Sequence, residues 1–191
     1  MKKYILCLFA FVVVNTNAQT FVLTSNGFVD ANNVQKNFIV VSFEGKTQKE
    51  IYGLALSAIG KIFVSPKDRI SQVEYNQINL NGVFQDITYI SRMGLHLYFD
   101  LYFNLIFEFK DGRMKINALS INDISRKAPH GVQHMYITKA ERGSAFGGDK
   151  ALFNNDGSVN EQKHKDNIEK TVNDFVKRIV VEMNKAKDSD W

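Results

Sequence analysis

The chain has 191 residues, with 24 Lys and Arg against 20 Asp and Glu, one Cys and two Pro. A hydrophobic content of 45% with 12% aromatics excludes a disordered chain, and the lone Cys excludes an internal disulfide framework. No apolar run reaches the ~18–20 residues that a membrane helix needs, and the length suits one core or at most two small domains.

Lys2 and Lys3 precede an apolar run of 11 residues, Tyr4 to Val14, followed by polar residues and then Ala18 before Gln19. A positive start, a short greasy stretch and a small residue before the cut define a secretory signal peptide. Residues 1–18 are therefore expected to be removed and the protein exported, to the periplasm or beyond. As a helix the run would reach only ~16 Å, about half of a ~30 Å hydrocarbon layer. Cys7 lies inside the run behind the large Leu6, unlike the end-of-run Cys of a lipid anchor. Losing Lys2 and Lys3 lowers the net charge from +4 to +2 and leaves no Cys. So small a charge is no footprint for nucleic acid, and a cysteine-free chain suits an oxidising compartment.

Residues 19–36 are polar and mixed, and read as a loose N-terminal arm or an edge strand. Asn37 to Glu44 (NFIVVSFE) reads as a first strand, turned by Gly45 and Lys46. Thr47-Gln-Lys-Glu50 is a capping box. Behind it Ile51, Leu54, Ala55, Ile59, Ile62 and Phe63 mark one stripe of a helix over 47–63, ended by Ser65-Pro66. Gly53 and Gly60 weaken that helix and read as room for close packing on a sheet. Val73 and Tyr75 then alternate in one parity, Ile78 and Leu80 in the other, which places a bulge or turn near Gln77. Asn81-Gly82 reads as a tight turn and Val83 to Ile90 as another short strand.

The strongest pattern comes next. Phe99, Leu101, Phe103, Leu105, Phe107 and Phe109 alternate with Tyr98, Asp100, Tyr102, Asn104, Ile106 and Glu108, which predicts a long strand with one buried face. Lys110-Asp111-Gly112-Arg113 closes a hairpin into a return strand through Met114, Ile116 and Ala118. Residues 125–157, with Pro129 and five Gly, read as a long loop. Ser158-Val-Asn-Glu161 reads as a second capping box, and Ile168, Val172, Phe175, Val176, Ile179, Val180 and Met183 stripe a final helix to about Ala186. The whole is α+β: a single domain over 37–187, with two helices packed on one face of an antiparallel meander sheet.

The strand NFIVVSFEG, the box TQKE, the helix IYGLALSAIGKIF and the hairpin FNLIFEFKDGRMKINALSIND resemble an uncharacterised domain family. It occurs in exported bacterial proteins and has a TATA-binding-protein-like fold of β-α-β(4)-α order. The resemblance covers roughly residues 37–124 and implies no reaction, catalytic residue or cofactor. The fold name suggests DNA, but fold does not imply function. A sheet that grips a minor groove needs basic residues and apolar wedges, whereas Asp100 and Glu108 stand on the outward parity. No nucleic-acid partner is expected.

Candidate chemistry is sparse. His130 and His134 form H-G-V-Q-H, which offers a metal two imidazoles only if the segment is helical, and Pro129 and Gly131 oppose that. Asn154-Asn-Asp156-Gly157 lacks the ligands of a calcium loop. Gly143, Gly147 and Gly148 have the wrong spacing for a phosphate cradle. No G-x-S-x-G is present, and nothing fixes a separation for a carboxylate pair among Glu44, Glu50, Asp100 and Glu108. Tyr98, Tyr102 and Ile106 share the outward parity, with Tyr75 expected to join them from a neighbouring strand, as a docking face for an envelope protein or ligand. The favoured reading is an exported binding module without catalysis. The competing readings are a metal-assisted hydrolase using His130 and His134, and a structural subunit of a homo-oligomer.

Overall fold

The computed structural model describes residues 20–63, 66–139 and 150–187. The proposed signal segment and the glycines at 143–148 lie outside them. Among the described residues the order is β1 (Phe21–Thr24), β2 (Gly27–Asp30), β3 (Phe38–Ser42), α1 (Gln48–Ile62), a 3-10 turn (Pro66–Arg69), β4 (Ile70–Val73) and β5 (Gln77–Arg92). There follow β6 (Leu95–Lys110), β7 (Arg113–Asn117), β8 (Ser120–Ala128), β9 (Gly131–Thr138), β10 (Lys150–Phe153) and α2 (Gln162–Lys187).

The predicted long strand is β6, and its alternation is realised position by position. Phe99, Leu101, Phe103, Leu105, Phe107 and Phe109 are all buried. Each buried Phe contributes about 2–3 kcal/mol, so this one edge-to-edge row anchors the core. Along one side β6 pairs antiparallel with β5 over nearly its whole length. Its other side is shared: Phe107–Lys110 pair with β7, and Asp100–Asn104 pair with β8. β3 adds to β7 and β4 to β5, while β9 adds to β8 and β10 runs parallel to β9. The sheet is therefore mixed rather than purely antiparallel.

Both helices cover the odd-numbered face of β6. Tyr52 of α1 meets Phe109 edge-on at 5.5 Å, and Phe175 of α2 meets Phe84 at 5.2 Å and Phe103 at 5.7 Å. The first capping box is present: Thr47 N–H donates to Glu50 Oε2 (2.7 Å) and Glu50 N–H to Thr47 Oγ1 (3.3 Å). The second is not. Ser158 N–H and its hydroxyl donate to Asp156 Oδ1 (2.9 and 2.6 Å) inside a turn, and α2 begins only at Gln162.

Three expectations are corrected. Of the two readings of residues 19–36, the described part (20–36) takes the strand and not the loose arm: Phe21, Leu23 and Phe28 of the β1–β2 hairpin are buried. Its free edge is held by α2, where the Asn173 side-chain amide takes Phe21 N–H and donates to Phe21 C=O (both 2.8 Å). Residues 125–157 are not one long loop, because they contain the end of β8 with β9 and β10. Asn81-Gly82 makes no turn but lies inside β5. There Gly82 is paired with Phe103, whose ring would come within 2.3 Å of any added Cβ. The missing side chain makes room for that ring, which also stacks on Phe84 at 4.4 Å. The actual hairpin turn is Met93-Gly94, both at positive φ (50° and 79°), as a two-residue turn between twisted strands requires.

Gly53 and Gly60 have no atom within 4 Å of an added Cβ, so the close packing expected of them is absent. Gly53→Ala and Gly60→Ala should each raise stability in urea by about 1 kcal/mol. Gly82→Ala should instead lower it by roughly 1–3 kcal/mol through overpacking on Phe103.

Candidate functional site

The even-numbered side chains of β6 form the outer face of the sheet, away from both helices. Tyr98 and Tyr102 are 46% and 43% exposed, and Ile106 is half-buried. Register supplies their neighbours: Asp123 of β8 lies beside Tyr102, Ser125 beside Asp100, and His134 of β9 beside Ser125. The irregularity in β5 between Phe84 and Thr88 brings in Asp86, at φ 52°, whose N–H donates to Asp100 Oδ1 (3.0 Å). The result is an open groove of about 850 Å3 holding Asp86, Tyr98, Asp100, Tyr102, Asp123 and His134. Arg126 and Lys127 also line it, the former donating to Gln133 Oε1 (3.1 Å).

The opposite end of the same face has the opposite charge. Lys110 pairs with Arg113 across the β6–β7 turn, and Glu108 with Lys115. With Val40 they line a smaller hollow of about 270 Å3. Hydrogen bonds from Asn117 and Lys115 hold the Glu108 carboxyl below the usual range, against a small opposing effect of burial. Between the two ends, Asn104 donates to the side-chain carbonyls of Asn79 and Asn81.

The structure thus brings Tyr98 and Tyr102 into one groove but separates the other expected residues. Ile106 lies further along β6, opposite Asn79. Tyr75 does not join them: it sits in the turn after β4 at φ 60°, edge-on to Tyr52 at 5.5 Å beside α1. His130 is exposed in the β8–β9 turn while His134 is on β9, with Nδ1 2.9 Å from Asp123 Oδ1. Four residues of extended chain separate those histidines by ~13 Å, too far for one metal. Among the described residues no group of three or more His, Cys, Asp or Glu gathers as metal ligands, and no helix is long and apolar enough to cross a membrane.

A second polar constellation escaped the sequence reading. His164, on the first turn of α2, is 3% exposed. Its Nδ1 lies 2.9 Å from Thr88 Oγ1, and its Nε2 lies 2.8 Å from Glu161 Oε2. That second approach is an electrostatic contact, off the axis of an aligned hydrogen bond. Hydroxyl, imidazole and carboxylate stand in the order of a nucleophilic triad. Yet Thr88 is only 1% exposed, so no substrate reaches its hydroxyl, and the trio pins α2 to β5. The signal was available: His164 lies one four-residue step before Ile168 on the apolar stripe.

Burial holds the His164 imidazole below its usual pKa, outweighing the attraction of Glu161. For Glu161, burial pushes upward, but the Lys150 hydrogen bond and the charges of His164 and Lys150 together win and lower it. The folded protein therefore refuses a proton at His164 that the unfolded chain accepts near pH 6.5. Stability is full above that pH and falls as pH drops below it. Thermal melts of the native protein should lose stability between about pH 7 and pH 5, and the pH dependence in that window should flatten in His164→Gln.

The arrangement defines a class: an α+β sheet of TATA-binding-protein-like fold with two helices on one face. Residues 38–123 match the family described as a domain of unknown function (DUF4468) with TBP-like fold. Among solved structures, the chain is similar to a TBP-like protein from Parabacteroides distasonis, at 13% identity and a TM-score of 0.51, over 80% of this chain and 92% of that one. A DUF4468 family protein from Bacteroides ovatus follows at 15% identity and a TM-score of 0.48, over 80% and 85%. At 13% identity the likeness to the Parabacteroides distasonis protein speaks for the fold alone. No curated protein matches the chain.

Proposed function

We propose that this chain is an exported binding module without catalysis of its own, which takes a partner on the outer face of its sheet. The observation that carries this reading is the exposure of Tyr98 and Tyr102 on a strand whose other face is buried from Phe99 to Phe109. Amphipathic rings standing half in water are the residues that interfaces favour, since they bury large area at low entropic cost. Asp86, Asp100 and Asp123 outnumber Arg126 and Lys127 on the groove lining and so favour a partner with cationic groups. Lys2 and Lys3 ahead of the apolar run from Tyr4 to Val14 support export through their signal-like pattern of charge and greasy residues.

The hydrolase reading loses its support with the separation of His130 from His134. Nucleic acid is disfavoured by the three carboxylates around the tyrosines, which repel phosphate. Tyr98→Ala combined with Tyr102→Ala should cut capture of a partner from envelope extracts by about tenfold or more. The melting temperature should shift by no more than about 2 °C, because both rings lie outside the core. Unchanged capture by the folded double variant would refute the reading.

A further inference from the structure

We propose that the outer face pairs with the same face of a second copy of this chain, about a two-fold axis that lies in the plane of contact and crosses β6 at right angles near residue 105. This rests on the outer face being a contact surface, and it names the partner.

The argument comes from register. β6 carries Asp100 on one side of residue 105 and Lys110 on the other, both on the outer face and five residues away. β7 and β8 flank the same edge of β6, one at each end. The stated axis reverses the direction of β6 but leaves that edge on the same side. It therefore lays β7 of each copy over β8 of the other. Lys115 stands beside Glu108, three residues beyond the axis; Asp123 stands beside Tyr102, three residues before it. One rotation therefore sets Lys110 over the second copy's Asp100, Lys115 over its Asp123 and Tyr102 over its Glu108, each twice. A C2 contact requires such self-complementarity of a single patch.

Dimensions agree. Facing sheets pack ~10 Å apart, a gap that a lysine stem and an aspartate can bridge. The strip from Asp100 to Lys110 is ~33 Å long. Four strands wide, it covers roughly 600 Å2 per copy and about 1,200 Å2 in all, at the lower bound of a specific interface. At the centre, Asn104 of each copy faces Ile106 of the other. Arg126, turned to Gln133, and Lys127, two residues beyond Ser125 on β8, lie farther from the axis than Asp123 and Asp100. The contact should therefore be weak, salt-sensitive and micromolar.

Sedimentation of the full mature chain from about 1 to 300 µM should show a monomer–dimer equilibrium near about 10 µM. Raising salt from about 50 to 500 mM should weaken it by about tenfold or more. Lys110→Glu/Lys115→Glu should be monomeric, as should Asp100→Lys/Asp123→Lys, while an equimolar mixture of the two should form a heterodimer. Should a double variant lose its fold, the single variants Lys110→Glu and Asp100→Lys repeat the test. A native chain that is monomeric throughout, or a mixture that fails to pair, overturns the inference. If such a monomeric chain still captures a partner through Tyr98 and Tyr102, only the dimer falls and the binding reading stands. A dimer indifferent to all four substitutions also overturns the inference, since it would use another surface.

Discussion

The alternation of β6 is the constraint from which the rest follows. Its odd positions hold the core against α1 and α2, and its even positions set out the exposed face. A slip of one residue would exchange the two sets, placing Asp100 and Glu108 under the helices and six large apolar side chains in water. No other segment is fixed so firmly. Because β6 is pinned, its partners are pinned as well: β5 along one edge, β7 and β8 sharing the other. The groove and the basic hollow are therefore read out from one register, in opposite directions along one strand.

Much of this was legible. Strict alternation over six apolar positions admits only a strand, the stripes of α1 and α2 admit only helices, and Thr47 and Glu50 announce where α1 begins. What misled was local turn chemistry. Asn-Gly occurs twice, at 26–27 and at 81–82. The first closes the β1–β2 hairpin, where Gly27 has φ 100°. The second is mid-strand, where the glycine is selected by a ring from the next strand. The dipeptide alone does not distinguish a backbone demand from a packing demand; only the position of Phe103 does. In the same way, the turn at Met93-Gly94 carried no strong signal, since Met rarely adopts the left-handed conformation it holds there.

The candidate site was only half visible for a related reason. Parity along β6 identified Tyr98 and Tyr102, because strand neighbours two apart share a face. It could not place Tyr75, whose fate is decided by the turn after β4, nor bring Asp123 and His134 to the groove, because lateral register is set by pairing rather than by periodicity. β9 and β10 were missed because residues 131–138 show no clean alternation of apolar and polar side chains and Lys150–Phe153 is too short to show any. His164 was passed over because a titratable residue on an apolar stripe looks like the end of the stripe, when burial beside Thr88 makes it part of the core.

The hold of Asn173 on the backbone of Phe21 joins groups 152 residues apart. The amide side chain substitutes for a missing neighbouring strand, offering one donor and one acceptor where a sheet edge would. During synthesis the first hairpin therefore emerges with its greasy side uncovered and has no place to settle until the last helix exists. The molecule closes like a clasp whose two halves are at opposite ends of the chain, and a ribosome that stalls before α2 releases a product with Phe21, Leu23 and Phe28 still seeking cover.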